Sequence, residues 1–519
     1  MILLGTVLIL VIFIRFRLLA TPLERDEGEY AYIGQQFLKG ISPFANAYSM
    51  KLPGTSLMYA LIMFFFGESL TAIHFCLLIV NITTAVILFF LCRRTFNSIT
   101  ISAIAAASFA LTSILPGVVG FAAHATHFVV LFALTGFLLF DIGEERNQPW
   151  IVLFSGLSMG LSFIMKQSGI FFIAALLAVL LVNLFSKKYS RQKFLQYLAY
   201  IFAGFCIPLL VLVSWIAFSG NFGQFWLWTV LYSSEYNSLN NLTSGIHNFN
   251  FSFTPLLSES FLFWLFVIFG AVSLLFIAKS NSKRFSFIFT VFSLSSILPG
   301  MYFREHYFIL LLPACSILAS LGFQSLNFLN KKFTYYLPSI AFSLMLIITT
   351  YSNRQYFFFS SPETVIRNVY KLNPFPESLK LAQFLSANTS PEDRIQILGS
   401  EPQIYFYANR TAASGYIYMY ELVEKQPYAL EMQKELIADI ENNKPKYIVF
   451  CNISESWLVR QYSERTIFQW SSVYVKEHYS KVGIIDFVNI NDIRFIASEE
   501  IPTYIPSNRS ILIFQKNQK

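Results

Sequence analysis

Thr21-Pro22-Leu23-Glu24-Arg25-Asp26-Glu27-Gly28-Glu29-Tyr30-Ala31-Tyr32 opens a polar stretch that ends at Lys51-Leu52-Pro53-Gly54. Apolar runs flank it, at 1–20 and 69–91. Thr21-x-x-Glu24 reads as a capping box with Pro22 in the first helical position. Lys39-Gly40 and then Pro43 read as a stop. The spacing predicts a helix over 22–39, roughly 27 Å long at 1.5 Å per residue. Asp26, Glu29, Tyr30, Ile33 and Phe37 share one face at i, i+3, i+4, i+7 and i+11. The segment is expected to lie along a membrane surface as an amphipathic helix with acids at its start. First-turn acids stabilise a helix by a few tenths of a kcal/mol, which suffices for Glu24 and Glu27. Asp26 opens a run of three acids in four positions, a repulsion that points to a base or a metal ligand.

Outward from this loop the chain is a membrane protein. Of 519 residues, 55% are hydrophobic and 13% charged, against about 25% charged in soluble domains. Residues 1–379 hold 22 Lys/Arg and 13 Asp/Glu, and residues 380–519 hold 15 and 16. A purely soluble enzyme, a disordered chain and a collagen-like fibre are excluded. The net charge of +8 lies beside the apolar segments and forms no basic stripe, which argues against nucleic acid as a partner. Five cysteines, four of them in apolar stretches, have no metal-ligand spacing and predict no disulfide framework.

Runs of about 17–25 apolar residues read as spanning helices. About eleven are expected, at 1–20, 69–91, 99–118, 127–140, 150–165, 168–185, 194–217, 260–278, 285–302, 307–325 and 334–352. The first run has no small-residue cleavage site and reads as a retained helix. Arg15 and Arg17 near its end either snorkel or reach an anionic partner. Arg93, Arg94, Arg146, Lys187, Lys188, Arg191, Lys193, Lys279, Lys283, Arg284, Lys331 and Lys332 fall on one side. Arg15, Arg17, Arg25, Lys39, Lys51, Lys166 and Arg304 fall on the other. Twelve against seven places the N-terminus inside, and an odd helix count places the C-terminal part outside. No acid falls at mid-bilayer depth, which counts against a flippase or transporter. The organisation expected is a polytopic α-helical domain over 1–352, a linker over 353–379 and an extracytoplasmic α/β domain over 380–519. In that last part a strand at Arg394–Leu398, a helix near 425–442, a strand at Tyr447–Cys451, a helix near 462–478 and strands at Gly483–Val488 and Ser510–Phe514 suggest a layered fold. Glu401, in a loop after the first strand, is its one hint of a site.

Three segments carry a resemblance. Asp26-Glu27-x-x-Tyr30-Ala31, Gly40-x-x-Pro43-Phe44 and Lys51-x-Pro53-Gly54 form the first. Gly160 to Lys166-Gln167 is the second. Arg304-Glu305-His306-Tyr307-Phe308 with Pro313 is the third. Together they resemble the GT-C superfamily glycosyltransferases of the family-39 type, the protein O-mannosyltransferases and aminoarabinose transferases. The resemblance covers roughly 15–325 and the outer part weakly. It implies an enzyme of a bacterial plasma (inner) membrane, among membrane lipids. Such an enzyme moves a sugar from a polyprenyl-phosphate donor, on the outer face, to a hydroxyl of a glycan, lipid or protein. Asp26 matches the family's first-loop catalytic Asp, with Glu27 beside it.

The acceptor hydroxyl needs a base, for which Asp26 is the candidate. The leaving phosphate needs cations: Lys51, Lys166, Arg304, His306 and Arg17. Lys166 also reads as a helix-end snorkel, Arg304 as a partner of Glu305, and Tyr307 as an interfacial aromatic. Glu29, Tyr30 and Tyr307 are expected in the substrate cavity, walled by Trp226, Trp228, Tyr232 and Tyr236. Many relatives carry an acid in the second outer loop, where this chain has Thr126. That leaves a divalent metal open as a cofactor, with Asp26, His124 and His127 as candidate ligands. His124 and His127, at i and i+3, read either as converging on one ion or as interfacial histidines.

Overall fold

The computed structural model describes residues 1–276, 281–326 and 336–517. Lys279, Lys331 and Lys332, used above for orientation, lie outside the described residues.

Helices Leu70–Phe96, Ala125–Arg146, Gln167–Phe185 and Arg191–Phe218 are long and apolar enough to cross a membrane. A fifth candidate is the pair Leu242–Glu259 and Phe261–Phe276, bent by 103°. Shorter apolar helices, Ile99–Thr112, Pro149–Met165, Leu312–Ser325 and Leu337–Ser352, coincide with further expected runs. These helices turn aromatic and aliphatic side chains outward. Phe185, Phe218 and Phe276 are each at least 80% exposed, an arrangement suited to lipid and costly in water. Gly54–Phe66 is an unexpected helix of 13 residues. At 1.5 Å per residue it is roughly 20 Å long, too short to span alone.

In the first helix, Ile2–Arg17, the residues Leu4, Val7, Val11 and Ile14 are buried at helical spacing. Arg15 and Arg17 both donate to backbone carbonyls of other segments. The Arg15 guanidinium donates to Gly120 O at 2.9 Å and Ser113 O at 3.2 Å. Arg17 donates to Phe357 O and to Ser360 O at 2.9 Å. Free carbonyls at chain turns supply what buried guanidinium groups require.

The loop helix runs Arg25–Leu38, and its capping box is Glu24 with Glu27. The Thr21 hydroxyl donates back to Leu18 O at 2.8 Å, so it closes the preceding helix and cannot cap the next one. Nor does the loop helix lie on a surface: nearly every residue from Arg25 to Gln36 is buried. It is sandwiched between the helices Gly54–Phe66 and Gln403–Ala408. Glycine permits this approach. A Cβ at Gly28 would stand 2.5 Å from Gln403 N, and one at Gly34 would stand 2.9 Å from Ser56 O.

The C-terminal unit is a five-stranded sheet in the order β1-β2-β5-β3-β4. The strands are β1 (Ile395–Leu398), β2 (Tyr447–Asn452), β3 (Tyr479–Asn489), β4 (Asp492–Ala497) and β5 (Ser510–Lys516). β1 and β2 are parallel, with Ile395 opposite Tyr447, and the other pairs are antiparallel. β1 is buried at all four positions, as a strand covered on both faces must be. Helices Ala429–Asn443 and Thr466–His478 match the amphipathic segments. β4 was not among the expected strands, although Asp492-Ile493-Arg494-Phe495 alternates polar and apolar residues. The linker of 353–379 is not extended: it contains the helix Pro362–Tyr370 and the start of Phe375–Ala387.

Candidate active site

Separate segments of the chain converge on Asp26. Lys51 Nζ lies 2.8 Å from Asp26 Oδ1 and 2.5 Å from Glu29 Oε2. The Lys51 and Asp26 side chains are 22% and 21% exposed, so the pair faces an opening and not the core. Lys51 also lies 4.7 Å from the Tyr30 ring centroid. On the other side, His124 Nδ1 is 3.9 Å from Asp26 Oδ2. His124 stacks on His306, with ring centroids 3.9 Å apart and planes within 12°. Lys166 caps the end of Pro149–Met165 and sits 3.7 Å above the Tyr307 ring. Tyr307 meets His306 edge-on at 4.9 Å.

Charge is distributed unevenly in this cluster. Burial pushes the Asp26 carboxyl up, but the charge and hydrogen bond of Lys51, with Lys166 beyond it, outweigh this and hold the group well below the usual carboxylate range. Burial wins at Glu29, which sits above its ordinary value in spite of Lys51. Burial opposes the Lys51 ammonium too, yet Asp26 and Glu29 more than reverse the effect and keep it charged. Lys166 is brought down to about 7 by burial, partly countered by Asp26. Burial lowers His124 to about 4 against the pull of Asp26, and lowers His306 well below its ordinary value. Both imidazoles are therefore neutral near pH 7, the form that binds a metal.

Asp26, His124 and His306 each bring a ligand atom within 4.8 Å of the others. Both His124 ring nitrogens are buried without a hydrogen-bond partner, which is costly unless something else occupies them. This set differs from the expected one. His127 turns into the helix bundle, with Nδ1 3.1 Å from Asn81 Oδ1. The reason is local: His124 is the extended N-cap of Ala125–Arg146, whereas His127 is already inside its first turn.

Other expected residues lie elsewhere. Glu27 is fully buried, and its Oε1 accepts from Ala123 N at 2.6 Å and contacts His74 Nε2 at 2.9 Å. Its Oε2 takes Glu24 N at 3.4 Å, so Glu27 staples the loop helix to its neighbours. Arg17 is committed to carbonyls near Ser360. Arg304 is exposed, with its guanidinium 5.6 Å from the Tyr302 ring. Of the expected aromatic wall, Trp228 is buried against Tyr48, Tyr232 and Tyr416, while Tyr236 stacks on Tyr302 at 4.3 Å.

The unexpected contributor is the C-terminal unit. The Tyr418 hydroxyl donates to Asp26 Oδ1 at 3.3 Å, and Lys51 lies 5.6 Å from the Tyr418 ring. Glu421 is buried nearby and pushed up to about 8 by burial and by Glu424. The usable signal was the alternation Tyr416-Ile417-Tyr418-Met419-Tyr420. Nothing local, however, told that this segment returns to the first loop.

The model of the family described as dolichyl-phosphate-mannose-protein mannosyltransferase matches residues 51–215. No curated protein matches the chain in sequence. Among solved structures the chain resembles ArnT from Cupriavidus metallidurans bound to undecaprenyl phosphate, with a TM-score of 0.60 and 12% identity, over 99% of this chain and 97% of that one. It resembles the Archaeoglobus fulgidus oligosaccharyltransferase in the apo form with a TM-score of 0.55 and 13% identity, over 98% of this chain and 76% of that one. The archaeal oligosaccharyltransferase AglB from Archaeoglobus fulgidus, in complex with an inhibitory peptide and a dolichol-phosphate, gives a TM-score of 0.53 and 14% identity over 99% of this chain and 76% of that one. The fold is the one shared with ArnT and the archaeal oligosaccharyltransferase. In this chain that framework brings the first loop, the second loop and the His306 turn to one place, and Tyr418 of the C-terminal unit reaches them.

Proposed function

We propose that this protein is a GT-C glycosyltransferase that moves a sugar from a polyprenyl-phosphate donor to a hydroxyl acceptor. The carrying observation is Asp26, set among Lys51, Lys166, His124 and His306 from distant parts of the chain. The relatives in fold support the donor class, since their solved complexes hold undecaprenyl phosphate and dolichol-phosphate. In this reading the protein resides in the inner membrane of a bacterium. About eleven helices cross that membrane, and residues 380–519 form an outward-facing domain. The acceptor is a glycan, a lipid or a protein.

Transfer is a displacement. The acceptor oxygen bonds to the anomeric carbon while the bond from that carbon to the phosphate oxygen breaks. The hydroxyl proton passes to Asp26, and polyprenyl phosphate leaves with the electron pair. Positioned cations stabilise that developing charge, and Lys51 and Lys166, the lysines around Asp26, are the candidates. Lys51 is also the partner that keeps Asp26 a weak base. A phosphate that draws Lys51 toward itself raises the basicity of Asp26 when the base is needed. Asp26, His124 and His306 also fit a divalent cation, which when bound would supply further positive charge beside the phosphate.

The test is to incubate the purified protein with undecaprenyl-phosphate-linked sugars and a membrane extract as acceptor source. Release of undecaprenyl phosphate with sugar appearing in an acceptor is expected. Sugar-phosphate left intact across all donors contradicts the reading.

A further inference from the structure

Arg25 precedes Asp26 and is buried, yet it takes no part in the cluster above. Its guanidinium enters the crevice at the C-terminal ends of the parallel strands β1 and β2. In open α/β sheets that crevice is where ligands sit. Here Arg25 Nη2 donates to Glu401 Oε1 at 2.6 Å and to Asn373 Oδ1 at 3.0 Å, and Nε donates to Ser400 O. Phe375 and Tyr420 face it at 5.3 and 5.5 Å. Glu401 is wholly buried and fully committed. Its Oε1 also accepts from Ser456 Oγ at 2.9 Å, and its Oε2 accepts from Gln403 Nε2 at 2.7 Å. The loop that carries Glu401 also holds Tyr418, because Met419 N donates to Ser400 Oγ at 2.9 Å. One buried cluster therefore grips the residue before Asp26 and the residue after Tyr418.

We propose that Glu401 is a positioning residue for the transfer site. Through Arg25 it holds the turn that carries Asp26, and through the Ser400 loop it sets Tyr418 against that carboxylate. This rests on the function proposed above. It makes the C-terminal unit part of the active site, which contributes Tyr418 and holds the turn that carries Asp26. A buried ion pair is a poor source of stability but a good source of geometry, and an error of about 1 Å in a reacting group costs roughly 10²-fold in rate.

The test separates geometry from stability. Arg25→Met with Glu401→Met removes both charges at similar volume, a change that folds tolerate. Ser456 keeps its bond from Ser400 N, and Gln403 keeps Ser378 Oγ. With undecaprenyl-phosphate-linked sugars as donors, the double variant is expected to melt with the wild type. Its kcat is expected to fall about 10²-fold at unchanged KM. Unchanged kcat at unchanged melting overturns the proposal. Amide hydrogen exchange on Glu401→Gln is a second measurement that needs no substrate. Faster exchange confined to amides 25–28 and 418–419 supports the clamp, and wild-type exchange there overturns it. A wild type that transfers no sugar defeats the proposed function alone, and the exchange result still decides on Glu401.

Discussion

Lys51 Nζ stands 2.8 Å from Asp26 Oδ1, although the two residues are 25 apart in sequence and lie at opposite ends of the first loop. The same ammonium contacts Glu29. One cation thus neutralises two carboxylates, at a site where a lipid phosphate is expected to arrive. The contact makes Lys51 a shared partner: whatever draws it to a phosphate releases Asp26.

Lys51→Met separates these roles. Burial then acts on Asp26 without its main opposing charge, so the carboxyl rises toward and past its ordinary value. The acid limb of kcat/KM is expected to move to higher pH. The rate falls about 10²–10³-fold for loss of a charge-stabilising donor. A pH–rate profile checks the shift, and an acid limb that does not move contradicts the pairing.

Lys166 titrates near neutrality because burial brings it down to about 7. A phosphate favours its charged form, so binding of undecaprenyl phosphate at pH 8 is expected to take up a proton. Calorimetry in buffers of different ionisation enthalpy measures this directly, and Lys166→Arg abolishes it. The linkage to stability runs with the opposite sign, because folding releases the proton that phosphate binding takes up. Between about pH 7 and the ordinary lysine value of ~10.4 the unfolded chain holds the extra proton. The contribution of Lys166 to stability therefore increases with pH across that window.

His124→Ala and His306→Ala are each expected to lose bound divalent metal, while His127→Ala retains it. Metal analysis of the purified proteins decides this. Loss with His124→Ala and His127→Ala but not with His306→Ala would restore the ligand set read from sequence spacing. Where an ion is bound, chelation lowers transfer in the wild type and leaves the two metal-free variants unaffected.

Gly28→Ala tests the seam between the loop helix and the C-terminal unit. The added methyl meets Gln403 backbone atoms at 2.5 to 2.7 Å, which cannot be relieved by a rotamer change. A loss of about 1–3 kcal/mol is expected, the range for overpacking. It is read as an earlier thermal transition in detergent.

What sequence could reveal here follows physical range. The apolar runs were legible because each helix satisfies its own backbone, so hydropathy suffices. Asp26 and Lys51 were legible because a loop between two apolar runs confines its charges to one interface. The burial of the loop helix was not, since it depends on Gly28 meeting Gln403 across 375 residues. The Thr21 cap was misread because Thr21 and Glu24 both carry capping chemistry, and only the turn after Arg17 decides which is used. His127 lost its expected place to His306 by helix phase at one end and by long-range contact at the other. Tyr418 and the Arg25–Glu401 clamp lay beyond any local pattern, because the crevice that holds Arg25 forms only when β1 and β2 pair.

The central claim is that Asp26 takes the acceptor's proton. Its most direct test is single-turnover sugar transfer from an undecaprenyl-phosphate-linked donor by the wild type and by Asp26→Asn, with undecaprenyl phosphate affinity measured on both. The account predicts a rate lower by about 10²–10⁴-fold, the usual contribution of a general base, with affinity held within about threefold. Transfer at the wild-type rate by Asp26→Asn would contradict it.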